Sequence, residues 1–319
     1  MLIRPFDGSL RDAEGLLAVD RGTFAESPYN ADQVIHLLTG GEQRAWLAIV
    51  EGEVTGFVTA FPTHTLYGRN WEVDLVAVQP AFQKQGIATE LIKAAVEGAG
   101  GHGLNRSQIA PAGLQIQRPG DGLQIRREQN GDLLSPDKAR AVVATDNPAS
   151  QRAFTKAGFT PDETVCYLLL YEIRGFAPRP LDSGSVTVRD LGLSSEEAGA
   201  VLRLGQGLTL RPDDVLALAS RQANEILVAV RGEEVVGFAE LLYVETLLYR
   251  GIWLESVIAQ GADREVQAAL ISEAVERAKR QRLDEVGCLV NAENHLLREA
   301  LAGQGFGVVN EYYIFRRDF

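Results

Sequence analysis

The chain has 319 residues, 45% of them hydrophobic, and a formal net charge of −12 at pH 7. This length allows two ordinary domains with substantial cores, and the acidity argues against nucleic acid and anionic membranes as main partners while favouring cationic small molecules. No apolar run reaches the length of a membrane-spanning helix, and the two cysteines are typical of a reduced compartment, so we expect a cytoplasmic protein.

The spacing of apolar residues predicts mixed strands and helices in the first half of the chain. In chain order we expect a strand at 1–5, helices near 9–20 and 30–39, strands at 45–51, 54–62 and 71–78, and a helix at 86–98. A strand at 140–145, a helix at 148–157 and strands through 160–174 follow. This order predicts an α/β or α+β fold in which helices flank a central mixed sheet.

Parts of this pattern recur in the second half. Residues 50–78 resemble residues 230–260, each with a turn glycine, a Gly-Phe pair and a Trp. DNPASQRAFTKAGF at 146–159 matches ENHLLREALAGQGF at 293–306 without a gap. This internal duplication predicts two tandem domains of one fold, a first repeat at 1–173 and a second repeat at 186–319.

The first repeat is longer because it carries an insert at about 100–140. Two GLQI segments in this insert, at 113–116 and 122–125, predict a β-hairpin arm, with a mobile loop as the alternative. The join at 174–185, RGFAPRPLDSGS, is rich in Pro, Gly and Ser, as expected of a linker.

The turn between the strand at 71–78 and the helix at 86–98 has a composition suited to binding an anion. A helix N-terminus offers free N–H groups and about half a positive charge. Gly86 lets the backbone approach a ligand closely, Ala88 is small, and Lys84 adds a charge. The turn therefore predicts a pyrophosphate cradle made mainly of backbone amides.

A second signal is the pair Asn147-Pro148. Asn at an N-cap with Pro at the first helical position is a strong helix start, and Gly158 is a good helix stop. By itself this segment indicates a well-capped helix and nothing more.

Taken together, the two signals resemble motifs of the GNAT acetyltransferase superfamily. The matching elements are Val78-Gln79-Pro80, then Gln83, Gly86 and Ala88, and later Asn147, Ser150, Phe154, Gly158 and Phe159. The resemblance covers residues 2–173 well and 186–319 more faintly. It implies two tandem GNAT-like domains with acetyl-CoA as co-substrate and no metal.

The resemblance also implies which residues bind acetyl-CoA. They are Val76, Ala77 and Val78 on the strand, where the pantetheine would pair; Gln83, Lys84, Gln85, Gly86, Ile87, Ala88 and Thr89 around the pyrophosphate; and Asn147, Ser150 and Phe154 on the later helix.

The sequence departs from the family pattern in two places. The family often has a Tyr general acid where this chain has Phe154, which has no proton to give, but a thiol with a pKa of about 8.5 can leave unaided. In the second repeat, Glu265 or Gln267 replaces Gly86. We therefore expect the second repeat to be degenerate and not to bind CoA in this way.

Two carboxylates are candidates for the catalytic base. Side chains alternate along a strand, so Glu72 and Asp74 share one face. An alkylammonium with a pKa near 10.4 must lose a proton before it attacks a thioester, and a positioned carboxylate can accept that proton. The resemblance assigns this role to Glu72, with Asp74 as the second candidate; solvated acids at a strand edge are the alternative reading. The corresponding positions in the second repeat are Leu254 and Ser256.

We expect the acceptor site in the loops at 23–30 and 61–70. The candidate substrate-binding residues there are Phe24, Tyr29, His64 and Tyr67. The sequence thus predicts an acyl-CoA-dependent N-acetyltransferase that acts on a small-molecule or peptide amine. The alternative is a non-catalytic tandem protein that senses CoA or scaffolds a partner. A monomer and a homodimer are both compatible with the sequence.

Overall fold

The computed structural model of the chain describes residues 1–24, 29–99, 136–173 and 185–319. The predicted hairpin arm lies outside these residues, as does nearly all of the predicted linker. The described residues group into two compact units. Unit 1 comprises those of 1–62, 70–139 and 318–319, and unit 2 comprises those of 63–69 and 140–317.

Unit 1 is a sheet with helices packed on it. Its strands, hydrogen-bonded in chain order, are β1 (Leu2–Pro5), β2 (Arg44–Val50), β3 (Glu53–Thr65) and β4 (Gly68–Val78). Its helices are α1 (Leu10–Phe24), α2 (Ala31–Gly40) and α3 (Ile87–Ala99). The tip of the β3–β4 hairpin, at 63–69, is the part of these strands that belongs to unit 2.

Local sequence accounts for the start and the packing of these helices. The Asn30 side chain accepts a hydrogen bond from the Gln33 amide at 3.0 Å, and the Gln33 side chain accepts one from the Asn30 amide at 2.9 Å, which is a capping box. Helix α3 buries Leu91, Ile92 and Ala95 completely, as its 3.6-residue period predicts. These elements lie within a few residues of their predicted positions.

Unit 2 holds the remaining elements. Its strands are β5 (Lys138–Ala144, in this unit from Arg140), β6 (Thr160–Glu172), β7 (Val186–Asp190), β8 (Asn224–Arg231), β9 (Glu234–Glu245), β10 (Arg250–Ala259), β11 (Glu285–Asn291) and β12 (Gly307–Asp318). Its helices are α4 (Pro148–Lys156), α5 (Ser195–Leu204), α6 (Pro212–Ala219), α7 (Arg264–Arg280) and α8 (His295–Gly303).

The strands of unit 2 form one mixed sheet in the order β5-β12-β6-β11-β10-β9-β8-β7. Strands β10 and β11 run parallel, and β6 is antiparallel to both β11 and β12. A mixed sheet flanked by helices is the fold class predicted from the sequence, so that prediction is confirmed.

The compact units cut across the predicted repeats. Strand β6, the last strand of the first repeat, lies between β11 and β12, which both belong to the second repeat. Tyr171 of β6 is opposite Val286 of β11, and Leu169 of β6 is opposite Val308 of β12. Contacts therefore group β6 with unit 2, while the repeat boundaries at 173 and 186 stay a prediction about the sequence.

One glycine in each unit is required by close packing. A Cβ on Gly56 would lie 2.9 Å from the Ala77 carbonyl oxygen, and a Cβ on Gly237 would lie 2.8 Å from the Ile258 carbonyl oxygen. Each glycine begins a Gly-Phe pair that the sequence alignment superposes. The pair thus marks the same close strand approach in both units.

The longest helix of the described residues is α7, with 17 residues. Across the described ranges, no helix is both long enough and apolar enough to cross a membrane.

Candidate active site

Strand β4 of unit 1 separates an apolar face from a face that carries the two predicted carboxylates. Trp71, Val73 and Leu75 are buried, and the Trp71 indole N–H donates to the Ala95 carbonyl of α3 at 2.9 Å. Glu72 and Asp74 alternate with these residues and so lie on the opposite face. Glu72 and Asp74 therefore share one face of β4, and their catalytic role stays a prediction.

A glutamine that the sequence did not reveal orients Asp74. The Gln43 side-chain amide donates to Asp74 Oδ2 at 2.9 Å, and Gln43 is itself buried. The Thr59 hydroxyl lies 3.5 Å from the same oxygen and accepts a hydrogen bond from the Leu75 amide at 3.2 Å. Gln43 immediately precedes β2, 31 residues away from Asp74, and no local pattern marks it.

The turn after β4 has the backbone geometry of an anion site. Pro80–Phe82 form a short 3₁₀ turn, and then Lys84 and Gly86 adopt left-handed conformations with φ of 63° and 85°. A non-glycine residue in this conformation is uncommon and often marks a functional loop. A Cβ on Gly86 would meet no described heavy atom within 4 Å, so the space beside it is open.

The N-terminus of α3 lacks a side-chain cap among the described residues. The first backbone hydrogen bond at this end of the helix is donated by the Glu90 amide to the Gly86 carbonyl oxygen, at 3.2 Å. The amides of Ile87, Ala88 and Thr89 precede it and have no partner within the helix. These amides and the partial positive charge of the helix are free to bind an anion.

Two glutamine side chains of the cradle turn form hydrogen bonds with the backbone of the same turn. The Gln83 amide group donates to the Val78 carbonyl at 3.1 Å, and that of Gln85 lies 3.5 Å from the Ala81 carbonyl. Both glutamines therefore support the turn itself. On β4, Ala77 and Val78 are buried and Val76 is half-buried.

The later predicted segment lies in unit 2. Asn147 Oδ1 accepts a hydrogen bond from the Ser150 amide at 3.1 Å, and Pro148 occupies the first turn of α4. Gly158, with φ of 90°, follows the helix. The predicted cap and stop of this helix are confirmed.

Phe154 lies in the core of unit 2. Its ring is 4% exposed and packs edge-to-face on Phe159 with centroids 5.2 Å apart, and its centroid is 5.9 Å from that of Phe315. This packing accounts for an aromatic residue at the position. The predicted contacts of Asn147, Ser150 and Phe154 with the cofactor stay predictions.

The predicted acceptor residues fall in both units. Phe24 is exposed at the end of α1 and Tyr29 is half-buried before α2, both in unit 1. His64 and Tyr67 belong to unit 2, where Asn224 donates to the His64 carbonyl at 2.6 Å. The tip of the 61–70 segment, at 63–69, belongs to unit 2, where Leu66 packs with Ile226 and Phe238; the acceptor role of these four residues stays a prediction.

Unit 2 contains one buried and one half-buried carboxylate that the sequence analysis missed. Glu240 of β9 is fully buried, and burial together with the charge of Glu255 raises its pKa to about 8. Glu255 itself forms a two-point ion pair with Arg140, at 2.7 and 3.1 Å. A charged residue inside the apolar run 235–242 is the signal that could have revealed Glu240. Burial and the charges of Glu240 and Glu255 also raise the pKa of Tyr67.

The N-terminus of α7 differs from that of α3 because it is capped by its own chain. Asp263 Oδ1 accepts hydrogen bonds from the Glu265 and Val266 amides at 2.9 and 3.3 Å. Arg231 pairs with Asp263 and Glu265 at 3.1 and 3.4 Å. A carboxylate already occupies the place of an anion there, and Glu265 adds a second negative charge.

Within the described ranges, no group of three or more His, Cys, Asp or Glu side chains could hold a metal ion. Both cysteines, Cys166 and Cys288, are buried and unpaired with one another.

Comparison with known proteins finds one family model that matches part of the chain. The model of the acetyltransferase (GNAT) family matches residues 14–113, which include β4, the cradle turn and α3. The predicted resemblance is confirmed for this segment, and no curated protein matches the chain in sequence.

Solved GNAT structures share the fold over nearly the whole chain. A GCN5-related N-acetyltransferase from Sphaerobacter thermophilus is 19% identical with a TM-score of 0.60, over 99% of this chain and 95% of that one. A tandem GNAT protein from the clavulanic acid biosynthesis pathway is 13% identical with a TM-score of 0.58, over 99% and 98% of the two chains. A putative acetyltransferase from Pyrococcus horikoshii is 14% identical with a TM-score of 0.52, over 100% and 89%. At these identities the likeness concerns the GNAT fold alone.

Proposed function

We propose that the chain is an acetyl-CoA-dependent N-acetyltransferase of the cytoplasm with one active site, in the first repeat. The acceptor would be a primary amine of a small molecule or a peptide. The observation that carries this proposal is the uncapped N-terminus of α3 after the left-handed residues Lys84 and Gly86, in the same unit as Glu72 and Asp74.

The cradle turn fits a diphosphate group. Acetyl-CoA would supply an acyl group activated as a thioester. The amides of Ile87, Ala88 and Thr89 would bind its pyrophosphate, the open space beside Gly86 admits an anion close to the backbone, and Lys84 adds a positive charge. The edge of β4 at Val76–Val78 would pair with the pantetheine.

The carboxylates of β4 would supply the base. Removing a proton from an alkylammonium of pKa near 10.4 at pH 7 costs about 4–5 kcal/mol, at about 1.36 kcal/mol per pKa unit. A positioned carboxylate that accepts this proton, directly or through water, accelerates a reaction by about 10²–10⁴. Glu72 is the first candidate for this role; Asp74, held by Gln43, is the second.

The second repeat would not bind CoA in the same way. Its helix N-terminus is filled by Asp263, and Glu265 would repel a diphosphate. The expected stoichiometry is therefore one acetyl-CoA per chain. Binding without turnover on any amine would instead favour the CoA-sensing alternative.

A matched pair of glycine variants tests the cradle. Gly86→Glu places a carboxylate among the free amides of α3 and should abolish acetyl-CoA binding measured by calorimetry. Gly261→Glu is the control, because Gly261 also has a positive φ, of 61°, lies in the loop before α7, and has no described atom within 4 Å of a Cβ. Unchanged affinity in Gly86→Glu, or equal loss in both variants, would contradict the proposal.

A further inference from the structure

The hairpin that carries the proposed catalytic carboxylates has an unusual tip. Strand β3 ends at Thr65 and β4 begins at Gly68, so Leu66 and Tyr67 form a tight turn. The Thr65 hydroxyl donates to the Gly68 carbonyl at 3.1 Å and accepts from the Tyr67 amide at 3.1 Å. The turn is thus ordered internally, and its contacts lie with unit 2.

One buried hydrogen bond, one partly buried hydrogen bond and one apolar side chain anchor this turn. The Leu66 amide donates to Glu240 Oε1 at 2.8 Å, and Asn224 Nδ2 donates to the His64 carbonyl at 2.6 Å. The Leu66 side chain is 2% exposed, in a core cluster with Ile226 and Phe238. Asn224 and Glu240 are both buried.

Glu240 is unfavourable for the stability of the apolar core around it. Its second oxygen, Oε2, has no hydrogen-bond partner among the described residues, although the side chain is fully buried. A buried carboxyl group with only one oxygen hydrogen-bonded destabilises the fold relative to an apolar side chain of the same size. Glu240 Oε1 accepts a hydrogen bond from the Leu66 amide, so the carboxyl group stabilises the turn.

This turn leads directly into β4, the strand that carries the proposed catalytic carboxylates. Glu72 lies six residues beyond Leu66 on an uninterrupted strand, about 20 Å along the backbone at 3.3 Å per residue. A strand is stiff along its length, so fixing the turn limits the sliding of β4. A one-residue shift of β4 would move Glu72 and Asp74 to the opposite face.

We infer that Glu240 and Asn224 are positioning residues, through which the second repeat holds the β3–β4 hairpin in the register that presents Glu72 and Asp74. This inference rests on the proposed function for its effect on turnover. It gives the degenerate second repeat a role that does not require it to bind CoA.

Variants of Glu240 separate this role from simple stability. Glu240→Leu removes the acceptor but keeps the volume, whereas Glu240→Gln keeps an oxygen for the Leu66 amide. Leu241→Ala is the matched control, because Leu241 is the next residue of β9, is also fully buried, and lies in the other core cluster, away from Leu66. Asn224→Ala removes the second anchor and serves if Glu240→Leu does not fold.

Hydrogen exchange and turnover are the two measurements. A buried hydrogen bond contributes roughly 1.5 kcal/mol, about a tenfold change, so amides of 63–69 and 70–76 should exchange about tenfold faster in Glu240→Leu. The kcat should fall about tenfold or more with no change in the Kd of acetyl-CoA, because small misplacement of catalytic groups has large effects. Glu240→Gln should restore both properties, and Leu241→Ala should alter neither beyond its effect on Tm.

Two results would overturn the inference, and a third would overturn only the proposed function. Unchanged exchange of β4 in both Glu240→Leu and Asn224→Ala would overturn the inference, as would faster exchange with unchanged kcat. If the wild-type protein acetylates no amine, the proposed function fails, and the exchange of 70–76 alone then decides whether the second repeat holds the strand.

Discussion

Replacing Glu240 with Gln should stabilise the protein, and the gain should depend on pH. The folded protein keeps this carboxyl protonated up to a pKa of about 8, whereas its ordinary value is 4.5. Between these values, folding takes up a proton. The stability that this carboxyl contributes is therefore fully present below pH 4.5 and is lost as the pH rises towards about 8. Gln does not titrate and avoids this loss.

The size of the effect follows from the same two values. At pH 7 the difference from 4.5 is about 2.5 pKa units, which corresponds to a loss on the order of 3 kcal/mol at about 1.36 kcal/mol per unit. Above pH 8 the loss should level off. Gln should retain the hydrogen bond from the Leu66 amide, since its carbonyl oxygen can replace Oε1.

Urea unfolding at pH 5, 6, 7, 8 and 9 measures this effect. The difference in unfolding free energy between Glu240→Gln and wild type should grow from about 1 kcal/mol at pH 5 to a plateau above pH 8. Glu234→Gln, an exposed position on the same strand, is the control and should give a flat difference. A constant difference for Glu240→Gln from pH 5 to pH 9 would refute the reasoning, because it would show that Glu240 does not titrate in this window.

Two further predictions concern unit 1. Glu72→Gln should lower kcat by a factor of about 10²–10⁴ while leaving the Kd of acetyl-CoA unchanged. Full activity of both Glu72→Gln and Asp74→Asn from pH 6 to pH 9 would exclude both residues as the base. Gly98→Ala should destabilise the protein by roughly 1–3 kcal/mol, because the new Cβ would lie 2.3 Å from Trp46 Cζ2. Gly22→Ala, also in a helix but with open space around its Cβ, should stabilise it by about 0.5–1 kcal/mol. Thermal unfolding distinguishes the two alanine variants, and equal effects would contradict the packing argument.

Features encoded by local pattern were predictable from the sequence. The 3.6-residue period placed α3, the pair Asn147-Pro148 placed the start of α4, and strand alternation placed Glu72 and Asp74 on one face. The turn that carries Gly86 could also be predicted, because a glycine between a strand and an amphipathic helix is a local signal of a turn. These properties depend on neighbours within a few residues.

Features set by contacts between distant segments were not predictable. Gln43 meets Asp74, and Leu66 meets Glu240, only because segments far apart in the sequence come together in the folded chain. The place of β6 between β11 and β12 has the same origin. Many apolar strands have similar composition, so their pairing depends on the packed core and not on any motif within them.

The position of β6 also determines how the chain can be divided. A fragment that ends at Ile173 would present β6 with both edges unpaired, and a fragment that begins at Ser185 would have a gap between β11 and β12. Exposed strand edges favour aggregation. Neither half should therefore be stable when expressed alone, but the two halves produced together should reassemble, since each supplies the strand that the other lacks. The position of β6 therefore makes the stability of each predicted repeat depend on the presence of the other.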